Sequence, residues 1–144
     1  MKEVINCARV RFPALGENEG FARVVTTGFL MHLGVTPSAL ADVKTVVSEA
    51  VTNAIVHGYR GKDGRHCFVT LTLQMLSTGV LVITVQDKGR GIEDVEQAKQ
   101  PFFTTDREGE RSGMGLPIMD AFSDSMKIAT SPRGTRVVMK KRLR

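Results

Sequence analysis

At 144 residues, 42% hydrophobic and 24% charged, the chain has the size and composition of one globular domain, 1–144, with room for a sizeable core. No apolar run reaches membrane-spanning length and the N-terminal MKEVINCARVRF lacks a signal-peptide layout, so a cytoplasmic protein is expected. The net charge of +5 suggests nucleic acid, but six of the twenty basic residues crowd between Arg133 and Arg144 without interleaved aromatics. That pattern points to a solvated terminal strand, and next to an acidic partner protein or a polyphosphate ligand.

Val4 to Phe12 predicts an opening strand, with Val4, Ala8, Val10 and Phe12 on one side and Pro13 ending it. From Glu17 to Leu33 the apolar residues Phe21, Val24, Val25, Phe29 and Leu33 recur at helical intervals, which predicts a first helix with Glu19 and Arg23 paired four apart. Pro37 opens a long second helix whose core stripe is Leu40, Val43, Val47, Ala50 and Ala54, with Gly58 near its end. After the turn cluster Arg60 to Arg65, Cys67, Val69, Leu71, Leu73 and Met75 alternate with Phe68, Thr70, Thr72 and Gln74. A turn at Ser77 to Gly79 joins this strand to Val80–Val85 in an antiparallel hairpin. A short helix is expected within Ile92–Gln100, a loop from Thr104 to Ser112, and a further helix from Gly113 through Phe122. Met126–Ser131 and Thr135–Lys141 close the chain as a hairpin through Pro132, Arg133 and Gly134. Cys7 and Cys67 have no metal-ligand spacing and are expected as reduced core thiols; His32 is expected to pack.

Three stretches carry chemistry. In VVSEAVTNAIVHGY, Val46 to Tyr59, the residues Glu49, Asn53 and His57 fall four apart and so share a stripe distinct from the core stripe. Burying such groups unpaired costs about 1–3 kcal/mol each, so the stripe is expected to line a cleft where a ligand, metal or water satisfies them. Asp87-Lys88-Gly89-Arg90-Gly91-Ile92 follows a strand; its carboxylate can accept from an exocyclic amine, while Gly89 and Gly91 let backbone approach a flat ligand. Gly113-Met114-Gly115-Leu116 opens a helix, where free N–H groups and the helix dipole suit phosphate.

In this order, E-x3-N-A-x2-H-G, D-x-G-x-G and G-x-G-L resemble the N, G1 and G2 boxes of the Bergerat ATP-binding fold shared by gyrase, histidine kinases and mismatch-repair ATPases. Within that superfamily the chain is similar, from about Arg9 to Lys141, to the anti-sigma factor kinases of bacterial sporulation. The resemblance is carried by KTVVSEAVTNAIVHGY, QDKGRGIEDVEQAKQPFFTT, ERSGMGLPIM and GFARV. It implies an α/β two-layer sandwich: a mostly antiparallel sheet with helices on one face, acting as a single ATP-binding kinase domain. By the same resemblance Asn53 would coordinate Mg2+ and Glu49 would take the proton from the attacking hydroxyl. Asp87 would read adenine with Gly89 and Gly91 beside it, and Thr135 would assist. Gly113 and Gly115 would hold phosphates, and the loop Thr104 to Ser112, with Thr104 and Thr105, would match the ATP lid. Arg23 and Arg111 would contact partner proteins, or serve locally as an ion pair and a phosphate contact.

The function implied is inhibition of a sigma factor of the sigma F type and Mg-ATP-dependent phosphorylation of a serine on its anti-anti-sigma factor, by a homodimer. Related kinases act on stress-response sigma factors. An ATP-gated binding module without transferase activity is an alternative if Glu49 only positions water. A histidine kinase catalytic domain would need a phosphoacceptor-histidine hairpin upstream, and only sixteen residues precede the first helix. A nucleic-acid binder would show steep salt dependence without any effect of ATP.

Overall fold

A computed structural model describes residues 2–100 and 115–143. Among them, five strands form one antiparallel sheet in the order β1-β2-β3-β5-β4: β1 Val4–Pro13, β2 Phe68–Leu76, β3 Val80–Asp87, β4 Ser125–Ser131 and β5 Gly134–Arg142. The register sets apolar residue against apolar residue, with Val10 opposite Leu71, Leu73 opposite Ile83, and Val85 opposite Val137. Since side chains alternate across a strand, this builds one apolar face, covered by helices. The other face carries Arg9, Arg11, Thr70, Thr84, Gln86 and Arg136.

Four helices accompany the sheet among the described residues: α1 Asn18–Leu30, α2 Pro37–Asn53, α3 Val95–Ala98 and α4 Gly115–Ala121. The second begins as its sequence dictates. Thr36 is extended and its hydroxyl accepts the Ala39 N–H at 3.1 Å, while Pro37 occupies a first-turn position that needs no donor. Its buried residues are Val43, Val46, Val47, Ala50 and Val51, a wider arc than the predicted stripe, and Leu40 is only partly buried. The reason is position: α2 lies on the sheet and is also flanked by α1 and α4.

The first helix departs from expectation. It ends at Leu30, followed by a 3-10 turn Met31–Leu33, and its buried residues are Ala22, Thr26 and Leu30. Phe21 and Val24 are exposed, although Phe21 meets the Phe12 ring edge-on at 6.1 Å. Ala22 and Thr26, small residues four apart, set α1 against α2 with Leu30 buried one turn further on, and the Thr26 hydroxyl is satisfied by the Ala22 carbonyl at 2.9 Å. Cys7 is exposed, not a core thiol, because it sits opposite Gln74 on the sheet face that no helix covers among the described residues. Cys67 is partly buried, and His32 is exposed on the 3-10 turn instead of packing. No helix among the described residues is long and apolar enough to cross a membrane.

Candidate functional site

The α-helical pattern of α2 stops at Asn53 and continues as a π turn, Ala54–Gly58, closed by Tyr59 N–H bonding the Ala54 carbonyl at 3.2 Å. Such wide turns recur at functional sites because they displace the following residues from the regular helical rows. Gly58 is thereby laid against the residues after β3: its carbonyl accepts the Arg90 N–H at 2.9 Å, and the His57 carbonyl accepts Arg90 Nε at 3.1 Å.

Between this turn, the sheet and the start of α4 lies a cavity of about 460 Å³. That volume falls in the range of small-molecule sites. Asn53 and His57 from the α2 side, Asp87 and Gly91 after β3, Gly115 at the start of α4 and Thr135 on β5 all line it. Ala50, Ala54, Val85, Ile92, Leu116 and Val137 supply apolar wall, and Arg60 and Arg90 add cationic groups. Glu49 is partly buried and does not line this cavity; it sits one helical turn before Asn53, about 6 Å along the axis. Gly89 also stays outside the lining. Thr104, Thr105, Arg111 and Gly113 lie outside the described residues. Arg23 does not line the cavity; it lies on α1, where Nε pairs with Glu19 at 2.9 Å and Glu19 also accepts the Ser48 hydroxyl of α2.

Asp87 is the buried acid of the site, 7% exposed. Burial pushes its carboxyl above the usual carboxylate range, and the N–H groups of Gly89 and Thr135 partly offset this by bonding the ionised form. The Gly89 bond measures 2.8 Å. The glycines around Asp87 serve chain-to-chain approach as much as ligand access. A Cβ on Gly89 would lie 2.0 Å from the Gly58 carbonyl oxygen, so a side chain there is excluded by backbone. Gly91 has φ +82°, and its Cβ would stand 2.1 Å from the Ser131 carbonyl oxygen. At the start of α4, a Cβ on Gly115 would come within 2.8 Å of Asn53 Oδ1, so glycine there leaves the carboxamide oxygen unobstructed.

Three hydroxyls, absent from the sequence reading or only partly read, fix the Asp87–Ile92 loop. The Tyr59 hydroxyl donates to the Phe68 carbonyl at 2.6 Å and accepts the Lys88 N–H at 2.6 Å, joining the π turn to two strand ends. Burial raises the phenol's pKa, which the Lys88 N–H partly counters. At the loop's other end Thr130 Oγ1 accepts the Ile92 N–H at 2.9 Å and lies 2.9 Å from Thr135 Oγ1. The visible signal for Tyr59 was an aromatic directly after the glycine that ends the helix. For Thr130 it was a second threonine facing Thr135 across the last hairpin.

The arrangement can bind a flat, amine-bearing base against Asp87 with its anionic part toward Asn53 and α4. Fold and site together define the class of histidine kinase-like ATPase domains, and the family model of the histidine kinase-like ATPase domain matches residues 12–141. An anti-sigma F factor of Bacillus subtilis is 45% identical over 139 residues, covering 96% of this chain and 93% of the relative. One from Clostridium perfringens is 43% identical, covering 96% and 97%. The chain belongs to the anti-sigma F factor family. Among solved structures, the RsbU and RsbW domains of a Mycobacterium tuberculosis protein align with TM-score 0.68 at 21% identity, over 96% of this chain and 32% of that one. The SiaB–SiaC complex of Pseudomonas aeruginosa aligns with TM-score 0.61 at 13% identity, over 96% and 89%. At these identities the two structures speak to the fold.

Proposed function

We propose that this chain is a cytoplasmic, homodimeric anti-sigma kinase, a single domain that binds Mg-ATP, holds a sigma factor of the sigma F type inactive, and phosphorylates a serine of its anti-anti-sigma factor. The observation that carries this is the convergence of Asn53, Asp87, Gly91, Gly115 and Thr135 on one cavity, in a chain nearly half identical to anti-sigma F factors over almost its whole length.

Asp87 accepts the exocyclic amine of adenine, and the apolar wall of Val85, Val137, Ala54 and Ile92 receives the ring faces. The residues fit a magnesium ion. Asn53 offers a hard carboxamide oxygen to the cavity beside Gly115, and Mg2+ needs few protein ligands because it keeps waters and takes phosphate oxygens. When bound, the ion neutralises charge on the triphosphate. Gly113 and Gly115 give backbone N–H groups to phosphate oxygens, with Thr104 and Thr105 contributing from the lid. Glu49 takes the proton from the substrate serine as the serine oxygen attacks the γ-phosphorus and the bond to the β–γ bridging oxygen breaks, so that ADP leaves. Arg23, 46% exposed beside Phe21 and Val24 on α1, belongs to a surface suited to a partner protein, and Arg111 contributes a second partner contact.

One observation favours a second reading, an ATP-gated binding module without transfer: Glu49 does not line the cavity. Mass spectrometry of the anti-anti-sigma protein after incubation with this chain and Mg-ATP separates the two. Phosphoserine is expected; an unmodified partner that nevertheless binds only with ATP present would replace the kinase reading by the module.

A further inference from the structure

Thr130 is half-buried and does not line the cavity, yet it is the register partner of Thr135, which does, in the last hairpin. Its Oγ1 accepts the Ile92 N–H at 2.9 Å, so one lone pair is committed and the hydroxyl's single proton must go elsewhere. Two acceptors are available: Thr135 Oγ1 at 2.9 Å and the Gly134 carbonyl at 3.5 Å, the limit of a hydrogen bond. Either hydroxyl can donate across the 2.9 Å contact, and its shorter distance favours Thr130 donating there over the Gly134 carbonyl. Thr135 Oγ1 is then an acceptor toward Thr130, and its own proton turns toward the cavity that Thr135 lines.

From this geometry we infer that Thr130 is a positioning residue for base selection: it orients the Thr135 hydroxyl as a donor beside the Asp87 acceptor, a pair that matches adenine and mismatches 6-oxopurines. Adenine presents an amine donor at C6 and an acceptor at N1. Hypoxanthine and guanine present the reverse, a carbonyl acceptor at C6 and an N–H donor at N1. A carboxylate alone would reject the 6-carbonyl, but a freely rotating threonine hydroxyl would accept the N1–H as readily as it would donate to a bare N1. Fixing the Thr135 proton removes that tolerance. The Ile92 N–H, held by the same oxygen, ties the donor's direction to the loop that carries Asp87.

The inference rests on the nucleotide reading of the cavity, so the test compares ATP with ITP on the intact chain by calorimetry. Wild type is expected to favour ATP. Thr130→Val should lower the ATP-to-ITP affinity ratio by about three- to tenfold, the size of one neutral hydrogen bond, mostly through improved ITP binding. Thr130→Ser, which keeps the hydroxyl, should restore the ratio. Thr130→Val in a Thr135→Val background should lower it no further, because the two act as one unit. A purely structural role would weaken both nucleotides alike, and an unchanged ratio in Thr130→Val overturns the inference. If Val disturbs the fold, Thr130→Cys keeps the volume with a weak donor, and the ratio must again fall. Failure of wild type to bind either nucleotide would instead overturn the nucleotide reading.

Discussion

Replacing Asp87 by Asn tests the centre of the site. The carboxylate is 7% exposed and accepts N–H groups from Gly89 and Thr135, so its geometry is set before any ligand arrives. Asparagine keeps the shape and one acceptor oxygen, which can still serve Gly89. What it loses is the charge offered to the base amine. A charge-assisted hydrogen bond contributes about 1.5–3 kcal/mol, so ATP affinity should drop by about 12- to 160-fold with far-ultraviolet circular dichroism unchanged. The pH dependence adds a second readout. Because the folded carboxyl titrates above its unfolded value, the folded state holds the proton more tightly; this group destabilises the fold above the raised pKa and ceases to do so as pH falls through it. Nucleotide binding runs the opposite way, since it uses the ionised form. ATP affinity should therefore decline at a pH higher than an ordinary aspartate, near 3.9, would dictate. Asp87→Asn should abolish that part of the profile. Calorimetry across pH measures both effects, and an affinity within about threefold of wild type, or a pH profile that survives the substitution, would refute the assignment.

Glu49→Gln should retain ATP and lose about 10²–10⁴ in phosphoryl transfer, measured with the anti-anti-sigma substrate; an unchanged rate removes Glu49 as the base. Gly89→Ala should lower the melting temperature without nucleotide present, since its Cβ would meet the Gly58 carbonyl oxygen at 2.0 Å. A normal melting temperature with weakened ATP binding would return Gly89 to a ligand-approach role. Arg23→Ala removes only an exposed helix-surface pair, so chemical denaturation should shift by less than about 0.5 kcal/mol, while sigma-factor binding measured by surface plasmon resonance should fall. Loss of ATP affinity before partner affinity would take Arg23 out of the interface.

How much could be read before folding differed by element. The strands were legible because alternation over β2 leaves one register for Val69, Leu71, Leu73 and Met75 to be buried together, and the hairpin turn at Ser77 to Gly79 fixes β3 beside it. Helix α1 was legible only in part: Val25, Phe29 and Leu33 pack against the core as expected, whereas Phe21 and Val24 are exposed. Periodicity marked Phe21 and Val24, but the neighbour rewards close approach, so Ala22 and Thr26 went inside. The stripe of Glu49, Asn53 and His57 assumed one continuous α-helix. The chain widens into a π turn after Asn53, and Glu49 stays outside the lining while His57 enters it.

Local spacing by itself determined which side chains could do chemistry, since a carboxamide four residues after a glutamate, or an aspartate before alternate glycines, is a property of the chain alone. Tertiary structure decided what those glycines are for and which groups stand behind the reactive ones. Gly89 faces Gly58 from thirty-one positions away, Gly91 faces Ser131, and Tyr59 spans from the π turn to Lys88. Such contacts arise only when the antiparallel sheet brings β3, β4 and β5 side by side under α2. A close approach between distant backbones leaves no trace in sequence periodicity beyond the small residue that permits it.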